Sequence, residues 1–239
     1  MVGNIIDTNN LLLRSLDNNV LEILTKNFTR VDLPRDRYFY REGDRVDKLY
    51  FPEDGIISCV VSEDRNRTEV AIIGREGVTG IGALLGDDIS RIQTYVQVSG
   101  STALAIGITE MRQAMVDHSE FRALLMRYAQ CCLLQSTFSI VTISAHLLEG
   151  RLARWLLMSH DRVDGDDIQI THEFMAMMIS AQRSGVTIAL HSLEGAGMIR
   201  SKRGCVTIRD RDKLMELAGD SYGVPEAAYR DLIGPFGKS

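Results

Sequence analysis

The chain has 239 residues and a net charge of −5, and 45% of its residues are hydrophobic, which is ordinary for a globular protein of one or two domains. Its apolar runs are short and its N-terminus lacks the features of a signal peptide, so we expect a cytoplasmic protein with no membrane contact. A disulfide framework and a CxxC metal site are excluded by the number and spacing of the cysteines, Cys59, Cys131, Cys132 and Cys205.

The first part of the chain has the pattern of an antiparallel β domain. Between residues 36 and 82, β-branched and aromatic runs alternate with turn signals such as Glu42-Gly43-Asp44 and Asp54-Gly55. A short helix is expected before these strands, at 18–26, and further strands are expected at 94–98 and 102–108. Turns about ten residues apart are typical of a compact sandwich or roll, and we assign residues 1–116 to this domain.

The middle of the chain changes to helical periodicity. One set of residues recurs at alternating spacings of three and four without an intervening proline, which predicts a long helix over 117–146. This predicted seam consists of Phe121, Leu124, Tyr128, Cys131, Gln135 and Phe138. A second copy of the chain would bury the seam most simply, so we expect a homodimer. Packing against the chain's own β domain is the alternative.

The last third is predicted to form a winged helix-turn-helix over 147–218. A helix with Leu152 and Trp155 on one face leads to a strand at 168–170 and a short helix at 172–179 capped by Thr171. A break at Ser180, a second helix at 181–195 and a β-hairpin with its tip at 201–204 follow. Two short helices before a hairpin are typical of DNA-binding domains. The tail at 219–239 is expected to be partly disordered or to form a short docking helix.

The second of these short helices has the pattern of a helix that reads DNA. An apolar stripe at i, i+3, i+4 and i+7 is predicted to pack inward, and it consists of Val186, Ala189, Leu190 and Leu193. The outward residues at the N-terminal end are hydrogen-bonding groups, predicted to contact bases: Gln182, Arg183, Ser184 and Thr187. Arginine can pair with guanine and glutamine with adenine in the major groove. A solvated surface helix is the alternative.

A basic hairpin follows this helix. Residues 183–213 contain seven Lys and Arg against three acidic residues, so this segment is locally positive although the chain is acidic. Arg200, Lys202 and Arg203 are predicted to contact phosphates. His172, at the start of the preceding helix, is predicted to do the same, with a capped surface histidine as the alternative. A basic hairpin beside a reading helix indicates DNA binding more specifically than either feature alone.

Several segments resemble the Crp–Fnr superfamily of transcriptional regulators. "EGRLARWLLMSHDRV", "ITHEFMAMMISAQRSGVTIALHSLEGAGMI" and "RGCVTIRDRDKLMELA" resemble its DNA-binding half, and "YREGDRVDKLYFPEDGIISCV" and "VAIIGREGVTGIGALLG" resemble its cyclic-nucleotide-type β-roll. The resemblance covers residues 11–218 in the family's order. It implies an α+β fold with an N-terminal antiparallel β-roll, a long dimerisation helix and a C-terminal winged helix-turn-helix. It also implies RNA polymerase as a further partner.

The same resemblance implies a degenerate effector pocket. Nucleotide-binding members hold the ribose with a Glu and the cyclic phosphate with an Arg that is followed by Ser or Thr. Read without gaps from Gly80, these positions are Ile81, Arg91 and Ile92. Ser136 and Thr137 on the long helix resemble positions that meet the base, with plain surface hydroxyls as the alternative.

Cyclic AMP is therefore not the expected effector. The acceptor for the ribose hydroxyl is lost, and two added carboxylates, Asp87 and Asp88, would oppose a phosphate nearby. An iron–sulfur cluster and a haem are not expected either, because the N-terminus has no cysteine group and the histidines are scattered singly. Cys131 and Cys132 could sense oxidants, with buried structural thiols as the alternative.

These patterns predict a homodimeric, sequence-specific regulator that reads a near-palindromic site in double-stranded DNA with the helix at 181–195. The alternative is an effector-binding signalling module whose winged helix contacts protein. A catalytic Ser-His-Asp set, an HExxH motif and a phosphate-binding glycine loop are all missing from the sequence, so we do not expect an enzyme.

Overall fold

The computed structural model, which describes residues 7–63, 66–100 and 102–238, has an α+β architecture, as the sequence predicts. The strands are β1 (Thr29–Asp32), β2 (Tyr38–Tyr40), β3 (Lys48–Pro52), β4 (Ile56–Glu63), β5 (Asn66–Ile73), β6 (Gln93–Val98), β7 (Thr102–Gly107), β8 (Asp167–Ile168), β9 (Ile199–Lys202) and β10 (Cys205–Ile208). The helices are α1 (Leu11–Arg14), α2 (Asn18–Thr25), α3 (Ile81–Leu84), α4 (Ile108–Asp117), α5 (Ser119–Ala145), α6 (Leu148–His160), α7 (His172–Met178), α8 (Arg183–Gly195), α9 (Arg211–Ala218) and α10 (Val224–Leu232).

The N-terminal strands form a β-roll of two antiparallel sheets. One sheet has the order β1-β7-β3 and the other the order β2-β6-β4-β5. Successive residues of a strand point to opposite faces, and both Ile56 and Ile57 of β4 are fully buried. Ile57 packs with Val96 and Ala103 between the sheets, whereas Ile56 packs with Met158 of α6. The larger sheet is therefore covered on one face by its partner sheet and on the other by the C-terminal domain.

The long helix α5 has 27 residues, which corresponds to a length of about 40 Å. Its N-terminal half packs into the β-roll core, where Phe121 and Leu125 are fully buried. Its last residue, Ala145, is followed directly by the short link to α6. The helix therefore connects the β-roll to the C-terminal domain.

The predicted dimer seam on α5 requires a correction. Phe121, Leu124, Tyr128 and Cys131 are buried within this chain, in the same cluster as the β-roll core. Gln135 accepts a hydrogen bond from the backbone N–H of Ile72 in β5, and Phe138 is half-buried. The seam face thus packs on the chain's own β domain. The spacing of the apolar residues identifies a buried face of a helix but not the element that buries it.

The C-terminal domain is a winged helix-turn-helix, as predicted. Helices α6, α7 and α8 pack around a shared core that includes Leu156, Met175 and Leu190. Strands β9 and β10 form the hairpin, and β8 adds to its edge in the order β8-β10-β9. None of the helices in the described ranges is long and apolar enough to cross a membrane.

The tail forms a docking helix, the second of the two expectations for this segment. Helix α10 packs against α5, and Tyr229 and Phe236 join the β-roll core cluster. The Tyr229 hydroxyl donates a hydrogen bond to the backbone carbonyl of Glu76 at 2.7 Å. The guanidinium carbon of Arg162 lies over the Phe236 ring, 5.1 Å from the centre of the ring. The tail therefore contacts the β-roll, α5 and the C-terminal domain together.

Candidate DNA interface and effector cavity

Helix α8 is held by the apolar stripe that its sequence predicts. Val186, Ala189, Leu190 and Leu193 are all buried in the core of the C-terminal domain. Gly185 faces α6, where an added Cβ would lie 2.9 Å from the Leu148 side chain. A glycine at this position therefore permits close packing of α8 on α6.

The N-terminal end of α8 presents exposed polar groups. Gln182, Arg183 and Ser184 are all exposed. Gln182 occupies the N-cap position, but its side chain does not cap the helix and is left to project outward. These three side chains lie together at one end of the helix, as the sequence predicts.

Thr187 and His172 contact each other behind this exposed end. The Thr187 hydroxyl donates to the backbone carbonyl of Arg183 at 3.1 Å, and His172 Nδ1 lies 3.2 Å from the Thr187 hydroxyl oxygen. Because the hydroxyl proton is already donated, His172 Nδ1–H is the donor in the second contact. Both side chains are half-buried. Thr187 is therefore less accessible than Gln182, Arg183 and Ser184.

The turn between α7 and α8 has a left-handed residue. Ser180 has φ of +52°, a conformation that glycine adopts at lower cost than serine. The backbone N–H of Ala181 then donates to the carbonyl of Ala176 at 2.9 Å, which closes the turn. This turn sets the direction in which α8 leaves α7.

The hairpin places its basic residues beside α8. Arg200, Lys202 and Arg203 are exposed, and Gly204 turns the tip with φ of +77°. The Glu194 carboxylate of α8 accepts a hydrogen bond from the backbone N–H of Ser201 at 3.0 Å. This contact ties the hairpin to the helix. The sequence does not predict it, because a Glu after an apolar stripe is a common feature of helices.

The β-roll contains a cavity of about 270 Å³ between strands β4, β5 and β6 and helices α3 and α5. Gly80, Ile81, Arg91, Ile92 and Ser136 line it, so five of the six predicted pocket residues lie together. Thr137 is exposed on the outside of α5, where its hydroxyl donates to the Leu133 carbonyl. Most of the wall is apolar, with contributions from Val46, Val70, Ala71, Ile72, Ile73, Val78, Ala83 and Ile89.

The charged groups at the cavity are paired with each other. Arg91 Nε donates to Asp87 Oδ2 at 2.8 Å, and Arg91 Nη2 donates to Asp87 Oδ1 at 3.2 Å. The hydrogen bonds from Arg91 hold the pKa of Asp87 below its usual value. Asp88 forms ion pairs with Arg112 and with Arg45. The arginine that the family resemblance assigns to a phosphate is therefore held by a carboxylate of this chain.

The cysteines near the cavity are protonated thiols at neutral pH. Burial raises the pKa of both Cys59 and Cys132 to about 12, and that of Cys131 to about 11. Cys59 and Cys132 line the cavity, whereas Cys131 lies in the core. Because the thiolate is the reactive form, these residues have the environment of structural thiols. Within the described residues, no group of three or more His, Cys, Asp or Glu side chains could hold a metal ion.

A buried carboxyl group joins the β-roll to the C-terminal domain. The Trp155 indole N–H of α6 donates to Glu69 Oε1 of β5 at 2.8 Å, and Ser58 Oγ lies 2.7 Å from Oε2. Burial raises the pKa of Glu69 to about 8. In the protonated form its O–H donates to Ser58, whose proton is then donated to the Gln97 amide oxygen. A carboxylate directly before the apolar run 70–73 is the sequence signal for this site.

A buried ion pair joins the same two domains. The Arg162 guanidinium lies 2.8 Å from Glu76 Oε1, and both side chains are less than 5% exposed, at 2% and 4%. Nearby, Arg154 is buried with neutral hydrogen-bond partners and donates to the Ser221 carbonyl at 2.8 Å. Burial lowers the pKa of Arg154 to about 10. The interface between the domains is thus rich in buried polar groups whose partners lie in both domains.

Two family models match the chain and divide it as the structure does. Residues 30–128 match the cyclic nucleotide-binding domain, and residues 150–217 match the Crp-like helix-turn-helix domain. The "CRP-like cAMP-activated global transcriptional regulator" of Mycobacterium tuberculosis is 23% identical over 215 residues, covering 87% of this chain and 96% of that protein. The "Global nitrogen regulator" of a Nostoc species is 25% identical over 183 residues, covering 73% of this chain and 82% of that protein.

Solved structures have the same fold. FixK2 from Bradyrhizobium japonicum matches with a TM-score of 0.70 at 16% identity, covering 80% of this chain and 98% of that one. The regulator CLP from Xanthomonas campestris matches with a TM-score of 0.66 at 16% identity, covering 81% and 99%. From the two matched domains and their order along the chain, we conclude that the chain belongs to the Crp–Fnr family of DNA-binding transcriptional regulators.

Proposed function

We propose that this protein is a homodimeric regulator that recognises a near-palindromic DNA site with α8 and contacts the DNA phosphates with the hairpin. The observation that carries the proposal is the exposed group Gln182, Arg183 and Ser184 at the N-terminal end of a helix whose opposite face is buried. Such an end is the part of a recognition helix that enters the major groove. In this proposal Thr187 lies behind these three residues and stabilises this end of the helix through its hydrogen bond to the Arg183 carbonyl.

The basic residues are proposed to contact phosphates. Arg200, Lys202 and Arg203 project from the hairpin that Glu194 ties to α8, so base reading and phosphate contacts are held in one rigid unit. His172 is proposed as a further phosphate contact in its imidazolium form, in which Nδ1–H donates to Thr187 and Nε2–H is left to donate to a phosphate oxygen. RNA polymerase remains a proposed partner on the basis of the family alone.

A second copy of the chain is proposed to pack on the outer face of α5. The large apolar residues exposed on this side of α5 occur at intervals of seven: Met126 (39% exposed), Leu133 (64%) and Ile140 (70%). A seven-residue repeat keeps apolar side chains on one face, as in a two-stranded coiled coil. This stripe lies opposite the seam that the β-roll buries, and it replaces that seam as the dimer contact.

In the dimer, the two α8 helices are proposed to lie about 34 Å apart, one turn of the DNA helix, so that each reads half of the site. The β-roll is proposed as the effector-sensing unit. A bound effector would shift the dimer between an arrangement that can bind DNA and one that cannot.

The experiment that tests DNA reading compares Arg183→Ala and Lys202→Ala on selected and random duplexes across a salt series. We expect Arg183→Ala to weaken binding to the selected site by about 1–3 kcal/mol and to relax the base preference. Lys202→Ala should weaken binding to all sequences similarly and flatten the salt dependence. Failure of the wild-type protein to bind any duplex at low salt would refute the proposal and favour a winged helix that contacts protein.

The experiment that tests the dimer contact introduces charge into the exposed stripe. Leu133→Asp with Ile140→Asp should convert a dimer to a monomer in analytical ultracentrifugation. Val116→Asp is the matched control, because Val116 is equally exposed, at 70%, but lies on α4. A double variant that stays dimeric would exclude this face.

A further inference from the structure

The cavity of the β-roll has half-buried apolar side chains but few free polar groups. Five aliphatic residues of its wall are only partly covered by protein: Val70, Ala71, Ile81, Ile89 and Ile92. Apolar surface that is left open in a concave site gains free energy when a ligand displaces water from it. The wall therefore favours an apolar occupant.

Several polar atoms of the wall already have partners within the chain. The Tyr40 hydroxyl donates to the Lys48 carbonyl, and Ser90 Oγ donates to the Ile92 carbonyl at 2.8 Å. Gln135 Oε1 accepts from the Ile72 backbone N–H at 2.7 Å. A ligand that needed these atoms would have to break existing hydrogen bonds.

The charges at the cavity do not favour an anion. Arg91 is paired with Asp87 through two hydrogen bonds, so a phosphate there would compete with a carboxylate of the same chain and be repelled by it. Cys59, whose thiol is buried and protonated, adds a weakly polar surface rather than a charge.

The volume of the cavity sets how much of a ligand its walls can cover. A protein cavity of about 150 Å³ holds one benzene molecule, so a cavity of 270 Å³ accepts roughly ten non-hydrogen atoms, about half of a cyclic nucleotide. We propose that the effector of this protein is a compact, uncharged, largely apolar molecule of this size, bound between Ala71 of β5, Ile81 of α3 and Ile92. This inference rests on the proposal that the β-roll is the sensing unit.

The backbone beside the cavity connects such a ligand to the DNA-binding domain. Cys59 pairs with Ala71 and Val60 with Glu69, so Val70 is an extra residue that makes a β-bulge in β5. Val70 and Ala71 line the cavity, whereas the neighbouring Glu69 binds Trp155 of α6. A ligand that presses on the bulge therefore acts one residue away from the domain interface.

The test uses the full-length protein with three uncharged probes, indole, p-cresol and cyclohexanone, and with cyclic AMP as the charged comparison. We expect at least one uncharged probe to bind with a Kd below about 1 mM in ligand-observed NMR and calorimetry. Ala71→Phe, which fills the cavity, should weaken that binding at least about tenfold. The matched control is Val61→Phe, which adds the same ring at an exposed position of the same sheet and should leave binding unchanged.

A second filling variant, Ile81→Trp on α3, applies if Ala71→Phe does not fold. Three results would overturn the inference. None of the three probes binds the wild-type protein, or both filling variants bind a probe as tightly as wild type does. The third is that cyclic AMP binds more tightly than every uncharged probe and that Arg91→Ala abolishes this binding. DNA binding is measured in the same samples with and without each probe. DNA binding with no probe binding would refute this ligand class alone, whereas absence of DNA binding by the wild-type protein in both conditions would refute the proposed function.

Discussion

The replacement Glu69→Gln tests the role of the buried carboxyl group between the domains. The pKa of Glu69 is raised from 4.5 to about 8 by burial, so its favourable contribution to stability is fully present below about pH 4.5 and is lost as the pH rises to about 8. At pH 7 the folded protein must hold a proton that the unfolded chain releases, at a cost of about 3 kcal/mol, from 2.5 pH units at 1.36 kcal/mol each. Glutamine is uncharged at every pH and can keep the hydrogen bonds to Trp155 and Ser58.

We therefore expect Glu69→Gln to raise the free energy of unfolding by about 3 kcal/mol at pH 7 and by less than about 1 kcal/mol at pH 5. The assay is urea unfolding at both pH values, followed by tryptophan fluorescence. Trp155 is the single tryptophan of the chain, so the signal comes from the side chain that contacts Glu69. Glu216→Gln, which removes a charge from an exposed position, is the control and should show little change.

Two results would refute this reasoning. If the variant gains as much stability at pH 5 as at pH 7, the gain does not come from the proton held by Glu69. If the variant is less stable than wild type at pH 7, Glu69 is ionised in the folded protein, and the nearby Arg154 and Arg162, which favour the charged form, outweigh burial.

Three further predictions concern other sites. Ser180→Gly should raise the free energy of unfolding by about 0.5–1 kcal/mol, because glycine relieves the left-handed backbone of the turn; a loss of stability in urea unfolding would contradict this. Asp87→Asn should free Arg91 and raise the affinity for cyclic AMP about fivefold by calorimetry, and unchanged affinity would show that the pair does not block anions. Tyr229→Phe should lower the free energy of unfolding by about 1 kcal/mol through loss of the bond to the Glu76 carbonyl, and an unchanged urea midpoint would mean that the tail is not held by this contact.

The sequence determines the local structure of the DNA-binding half. The stripe from Val186 to Leu193 specifies both the helix and its buried face, so the exposed position of Gln182 and Arg183 follows from helical geometry alone. The hairpin is similarly local, because its strands are adjacent in sequence and Gly204 turns between them. These features depend on residues within about fifteen positions of each other, which periodicity can detect.

Contacts between distant parts of the chain were decided by the tertiary structure. Apolar residues at spacings of three and four on α5 indicate that Phe121 and Tyr128 are buried. The β-roll and the tail cover that face as well as a second copy of the chain would. Asp87 could be predicted to repel a phosphate, but its pairing with Arg91 depends on the loop conformation. The bond between Glu69 and Trp155 joins residues 86 positions apart, and local patterns contain no information on such a pair. Periodicity reports which face of an element avoids water, and only the packed chain determines what covers that face.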